Sequence, residues 1–327
     1  MGVDATLGSF GDVLFNSAVG VYVFAMVLHA VEHGLLRRAG VHAEQVPARV
    51  AVGAGAGSAA SSERSDPDGP ADRPGGRPTS ERFGRMGVAL TVLGFGLHLA
   101  MLVVRGVAAG RAPWGNMYEF TAAVCLAAVG AWLVVLARRP GMRRLGVFVL
   151  LPVIALMFLG GTVLYTQTAP VVPALRSYWL AVHVSAAVIS SGILLFAGVA
   201  SVLYLLRAAH EASGSMAWTS WLPESAVLDR VAYRATAIAF PIWTFAVLAG
   251  AIWAEAAWGR YWGWDPKETT AFIAWVVYAG YLHARSTAGW RGPKAATVNV
   301  VGFAVMVFNL FVINLVITGL HSYAGVG

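Results

Sequence analysis

The chain has 327 residues, of which 58% are hydrophobic and only 12% charged, with a mean hydropathy of +0.67. A soluble domain carries about twice that share of charge, so the composition excludes an ordinary water-soluble fold and points to a polytopic membrane protein. The net charge of +7 does not argue for a nucleic-acid partner, because the basic residues fall between apolar runs, as membrane topology arranges them.

A membrane helix needs about 20 predominantly apolar residues. Eight stretches qualify, near 12–36, 85–107, 116–137, 145–166, 179–206, 231–254, 270–288 and 295–320, which predicts an all-α bundle of eight transmembrane helices. The first, within 1–37, lacks a basic n-region and a clear cleavage site and reads as a retained membrane helix. It carries His29, Glu32 and His33 on one face at i, i+3, i+4 spacing. The HxxEH order matches an inverted metalloprotease pattern, but no further ligands are signalled, and a helix-end polar cluster is the default. Residues 38–84 follow, rich in Ala, Gly, Pro, Ser, Arg and Asp, and are expected to form a disordered cytoplasmic linker, since such a composition buries too little surface to offset the entropy of ordering. The remaining seven stretches form a core over 85–327.

Within that core, the outer loop before the third helix reads Arg111-Ala-Pro-Trp-Gly-Asn-Met-Tyr-Glu-Phe120, where Asn116 is placed to cap the helix with Glu119 at its N3 position. Cys125, the only cysteine, lies inside an apolar run, so no disulfide or CxxC centre can form within the chain. The densest feature is Trp258-Gly-Arg-Tyr-Trp-Gly-Trp-Asp-Pro-Lys-Glu268, in a segment spanning 253–268. Trp253 to Trp264 holds four of the chain's 12 tryptophans, interleaved with Arg260, Tyr261, Asp265 and Lys267. Aromatic faces beside fixed cations suit a flat apolar ligand with anionic groups at its edge, whereas an interfacial belt needs only single rings at helix ends. Asp265, Pro266 and Glu268 also fit N-cap, N1 and N3 of the seventh helix.

Placing residue 1 outside puts Arg37–Arg85, Arg138–Arg144, Arg207–Arg234 and Arg285–Lys294 in the cytoplasm. That leaves only Arg105, Arg111, Arg176, Arg260 and Lys267 outside, a strong bias that makes both termini extracytoplasmic. Of the eight histidines, His42 and His210 fall in cytoplasmic loops, while His29, His33, His98, His183, His283 and His321 lie in or at the ends of apolar helices, where an ionisable group needs a partner. His183, four residues after Trp179, and His321, at the end of the eighth helix, share the outer surface with the Trp-rich segment.

The Trp-rich stretch resembles the WWD signature of the heme-handling membrane proteins of cytochrome c biogenesis, of the CcsA/ResC (CcsB) type in system II. The resemblance covers roughly 85–323 and rests on Trp258-Gly259, Trp262, Trp264-Asp265, Lys267-Glu268, Ile273, Trp275, Tyr278, His283, Pro113–Glu119, Trp179–His183 and Gly319-Leu320-His321-Ser322-Tyr323. It implies heme b as substrate and bound ligand, delivered to an apocytochrome c whose CxxCH thiols form thioether bonds. His183 and His321 would hold the iron as a bis-histidine pair, with Trp258, Tyr261, Trp262 and Trp264 packing the macrocycle and Arg260, Asp265 and Lys267 near its polar edge. His283 would bind heme within the membrane, its second ligand coming from a ResB-type partner, with His98 the competitor inside the chain. The resemblance also implies a bacterial cell membrane, work as one subunit of a holocytochrome c synthase, and dependence on a thiol-reducing pathway. The alternatives are a cytochrome b-like electron carrier, a heme exporter to a chaperone, and a transporter of another hydrophobic anion.

Overall fold

The computed structural model describes residues 4–45, 78–169, 177–287, 290–317 and 319–321. Among them the chain forms eight α-helices: α1 (Ala5–Gln45), α2 (Thr79–Ala109), α3 (Met117–Arg138), α4 (Gly146–Thr162), α5 (Tyr178–Ser213), α6 (Ser225–Trp258), α7 (Pro266–Ser286) and α8 (Pro293–Val316). Short 3-10 turns at Pro140–Leu145 and Ala217–Thr219 precede α4 and α6. Helices α1 and α2 extend into the expected linker from both sides, and residues 46–77, its remainder, lie outside the described residues.

Seven of the helices are long and apolar enough to cross a membrane. The exception is α7, whose buried residues include Glu268, Thr270, Tyr278 and Tyr281 rather than aliphatic side chains alone. Its contacts nonetheless place it at the depth of its neighbours. The N-cap of α7, Asp265, meets Leu320 just past α8, Lys267 meets Asn309, and Tyr278 packs at Gly302. On the other side Trp275 donates to Thr244 and Arg285 pairs with Asp229 near the start of α6. Helix α7 therefore runs antiparallel to both α6 and α8 over the same thickness, as the expectation of an eight-helix polytopic bundle requires.

Polar residues tie the helices together where water is excluded. The Asn299 amide on α8 donates to Ser201 on α5 at 2.9 Å and to Thr236 on α6 at 3.1 Å. Fully buried Arg105 donates to Asp12 at 3.1 Å, to Glu119 at 3.4 Å and to the Thr166 carbonyl at 2.8 Å. Glu119 also accepts from Arg111 at 2.6 Å and from the Gly115 amide at 3.0 Å, so it anchors the α2–α3 loop, while Asn116 caps α3 by accepting from the Glu119 amide at 2.9 Å. Helices α5 and α3 pack closely at Gly192, where an added Cβ would lie 2.7 Å from the Val124 carbonyl oxygen. Asp4 donates its amide to Ala108 at the end of α2, so the start of the described chain lies at the same end of the bundle as the α2–α3 loop.

Candidate functional site: an aromatic pocket with two histidines

The last turn of α6 closes on Gly259 in the left-handed region (φ 71°), a conformation that costs glycine nothing, and its amide caps the Glu255 carbonyl. Asp265 and Glu268 then start α7 as a capping box: Lys267 N–H donates to Asp265 at 3.1 Å, and Asp265 N–H donates to Glu268 at 3.1 Å. Between these two fixed ends Trp264 is held at φ 57°, a strained backbone for a bulky residue.

Beside this segment, residues of α3, α5, α6, α7 and α8 and of the α2–α3 loop surround a pocket. Trp114, Asn116, Trp258, Tyr261, Trp262, Lys267 and His321 line it toward the end of the bundle, and Val184, Ala187, Ser191, Trp243, Val247 and Met306 line it deeper. The wall on α5 runs from Leu180 to Ser191, roughly 16 Å at 1.5 Å per residue. The site is thus a cleft that penetrates the bundle rather than a surface platform.

His183 and His321 both reach it. His183 lies flat against Trp253 (centroids 6.2 Å apart, 5° between planes), and its Nδ1 donates to the Ala246 carbonyl at 2.8 Å. A carbonyl only accepts, so Nδ1 carries the proton and Nε2 keeps the lone pair. Gly250 makes room for this ring: a Cβ there would lie 2.7 Å from His183 Nδ1 and Cε1. His321 stands edge-on to Trp258 at 5.0 Å and to Trp253 at 5.9 Å, with Nδ1 3.4 Å from Asp265 Oδ1. Asp265 is buried, which by itself raises its carboxyl pKa, but hydrogen bonds from His321, the Lys267 amide and the Leu320 amide outweigh burial and hold it below the usual carboxylate range. Two imidazoles with Nδ1 engaged and Nε2 free are suited to ligating a porphyrin iron. Three lining tryptophans, Trp114, Trp243 and Trp253, keep buried indole N–H groups without a partner among the described residues.

The other expected site residues are placed as follows. Trp258, Tyr261, Trp262 and Lys267 line the pocket, with Lys267 Nζ donating to the Asn309 carbonyl at 2.9 Å. Trp264 is 65% exposed and turns away, edge-on to Trp262 and Phe272. Arg260 folds back over Gly263 instead of lining the cleft. His321 is not at the end of α8, which stops at Val316; it sits on the following turn, tied down where the Leu320 amide donates to Asp265 at 2.8 Å. His283 is exposed on the last turn of α7, whereas His98 is fully buried beside Tyr22, so the two do not face each other. Sequence reasoning passed over Trp243, Gly250 and Asn309. The signal for the first two lay on one face of α6, where Trp243, Ala246, Gly250 and Trp253 recur at helical spacing with the small residues between the large ones.

Fold and site together define a polytopic helical membrane protein with a histidine-bearing aromatic cleft at one end of its bundle. The family described as Cytochrome C assembly protein matches residues 114–321, and the chain belongs to that family. It is similar to the cytochrome c biogenesis protein CcsA of Synechococcus sp. strain CC9605, at 36% identity over 259 residues covering 69% of this chain and 83% of that one. The corresponding protein of Gloeobacter violaceus is 31% identical over 280 residues, covering 68% and 81%. That of Chlamydomonas reinhardtii is 43% identical over 157 residues, a match that covers 48% of this chain and less than half, 44%, of that relative's length.

Proposed function

We propose that this protein binds heme in the outer cleft and presents it for covalent attachment to an apocytochrome c. The observation that carries the reading is the pair His183 and His321, each with Nδ1 engaged by an acceptor and both on one pocket walled by tryptophan. Trp253 supports both rings, Trp258 and Trp262 flank the space available to a macrocycle, and the deeper apolar lining suits the hydrocarbon body of a porphyrin. Lys267 is the one cation among the lining residues and is the partner for a propionate. Attachment adds each CxxCH thiol across a heme vinyl group: a sulfur–carbon bond forms, the double bond becomes single, and the thiol proton goes to the neighbouring carbon. No oxidant is consumed. The thiols come from the substrate and need to be reduced, which is consistent with a chain whose single cysteine, Cys125, is buried.

In this reading the chain works in a bacterial cell membrane with the cleft, and both termini, on the extracytoplasmic side. His283, exposed near the other end of α7, takes part in an intramembrane heme site completed by a ResB-type partner. Its position supports a partner over His98, which is enclosed in the α1–α2–α3 core, and this also weakens the diheme electron-carrier alternative.

The test is spectroscopic. His183→Gly and His321→Gly proteins, purified from membranes, should each lose the six-coordinate low-spin spectrum, and added imidazole should restore it together with part of the cytochrome c maturation. A double variant that keeps full heme content and a low-spin spectrum refutes the site.

A further inference from the structure

A buried carboxylate joins two elements that are far apart in the chain. Asp265 starts α7, yet its Oδ2 accepts from the Leu320 amide at 2.8 Å and its Oδ1 lies 3.4 Å from His321 Nδ1, while Oδ1 also accepts from the Lys267 amide at 3.1 Å. The turn that carries His321 wraps closely around this group: a Cβ at Gly319 would lie 2.7 Å from Asp265 Oδ2. Only 3% of the Asp265 side chain is exposed, against 21% of the His321 side chain. An ordinary N-cap needs one acceptor facing the first turn of its own helix. The contacts to residues 319–321 go beyond that requirement, and they come from the one described segment after α8.

We propose that Asp265 is a positioning residue for His321: it fixes the imidazole in the Nδ1–H tautomer, turns Nε2 into the cleft and makes that nitrogen a stronger donor to a heme iron. This rests on the heme reading above. A ligating histidine that gives its other N–H to a carboxylate is held in tautomer and orientation and gains basicity. His183 gives its N–H to a neutral carbonyl, Ala246, so the two ligands differ, and His321 is the one whose donor strength depends on a single replaceable side chain.

The discriminating variant is Asp265→Asn. An amide of the same shape offers one acceptor oxygen where the carboxylate serves three donors on two oxygens. Whichever way the amide is oriented, either the Leu320 amide or the His321–Lys267 pair faces an N–H₂ group. The full chain is labelled with 15N-histidine and studied free of heme in detergent, then loaded with hemin. Heme-free wild type should show His321 as the Nδ1–H tautomer, and Asp265→Asn should show a mixture with His183 unchanged. After loading, the variant should retain hemin 10- to 100-fold more weakly, roughly the range for loss of a partner behind a ligand. Its reduction potential should move positive, since a less basic ligand stabilises ferric iron less. Pro266→Ala, which loosens the same helix start but keeps the carboxylate, should change neither tautomer nor potential, so a purely structural role is separated from a positioning one. A wild-type His321 found as the Nε2–H tautomer overturns the proposal even if the variant does not fold. So does an Asp265→Asn protein with unchanged tautomer, affinity and potential. Wild type that binds no hemin while His321 remains Nδ1–H instead overturns the heme reading itself.

Discussion

Replacing Gly250 by alanine should perturb His183, one of the two proposed heme ligands, without removing it. The new Cβ would lie 2.7 Å from both Nδ1 and Cε1 of His183, against an ordinary contact of 3.4–4 Å, so the ring must retreat by at least several tenths of an ångström. It cannot do so freely, because Nδ1 is bound to the Ala246 carbonyl one turn away on the same helix and the ring face lies on Trp253. Overpacking of this kind costs about 1–3 kcal/mol, and a lost hydrogen bond about 1 kcal/mol more. Against this, Gly→Ala inside a helix gains about 1 kcal/mol. The net is a destabilisation of about 1–3 kcal/mol, so the thermal unfolding temperature should fall while the protein still folds, and a misplaced axial nitrogen should lower heme affinity by about tenfold for each 1.4 kcal/mol that falls on the bound state. The assay is hemin titration of purified protein followed by absorption, with thermal unfolding measured in parallel. Gly280→Ala on α7, where a Cβ meets nothing within 4 Å, is the control and should retain wild-type affinity. Wild-type affinity and an unchanged low-spin spectrum in Gly250→Ala would show that His183 is not a ligand.

Other outcomes follow from the same contacts. Arg105→Met leaves Asp12 without its cation and Glu119 with Arg111 as its remaining one, and should lower stability by about 3–5 kcal/mol in detergent unfolding, because a buried ion pair is broken from one side. Gly192→Leu should prevent α3 and α5 from closing, since the obstructing atoms include the Val124 carbonyl oxygen and not a movable side-chain tip; loss of folded protein in size-exclusion profiles checks it. Trp264→Gly relieves the left-handed backbone at that position and removes a ring outside the pocket wall, so heme retention should fall much less than in Trp258→Ala. Reporter fusions within 255–265 and after Gly327 should lie on one side of the membrane and those within 50–75 on the other; a terminal reporter on the side of 50–75 would separate His321 from the cleft.

Helix positions were legible because run length and apolarity decide membrane insertion almost alone. The limits of that signal show at α7 and α8. Helix α7 reads as a span although its buried face carries Glu268, Thr270 and two tyrosines, and its depth is established by contacts with both neighbours. Helix α8 is apolar up to Leu320, yet it stops at Val316, because Asp265 draws the Leu320 amide and the His321 ring out of helical register. A tertiary hydrogen bond of that kind leaves no mark on local hydropathy. In the Trp-rich segment, composition marked the region but not which rings face inward: the αL turn at Trp264 sends that ring out, and Trp253 and Trp243 on α6 take the inner wall. Asp265 and Glu268 were legible as caps from their spacing alone. Only the fold brings residue 321 to the same carboxylate.

The family match begins at Trp114 and ends at His321, and both line the cleft. Every other lining residue falls between them. Helices α1 and α2 lie outside the match, and their buried histidines, His29, His33 and His98, pack against Trp132, Trp221 and Tyr22 instead of reaching the cleft. The matched segment thus takes in the whole pocket: α3, α5–α8 and the α2–α3 loop line it, while α1 and α2 supply Asp12 and Arg105, which brace Glu119 and through it the Gly115 amide beside Trp114. Trp114, Gly115 and Asn116 of the α2–α3 loop complete the lining of the cleft together with the five helices.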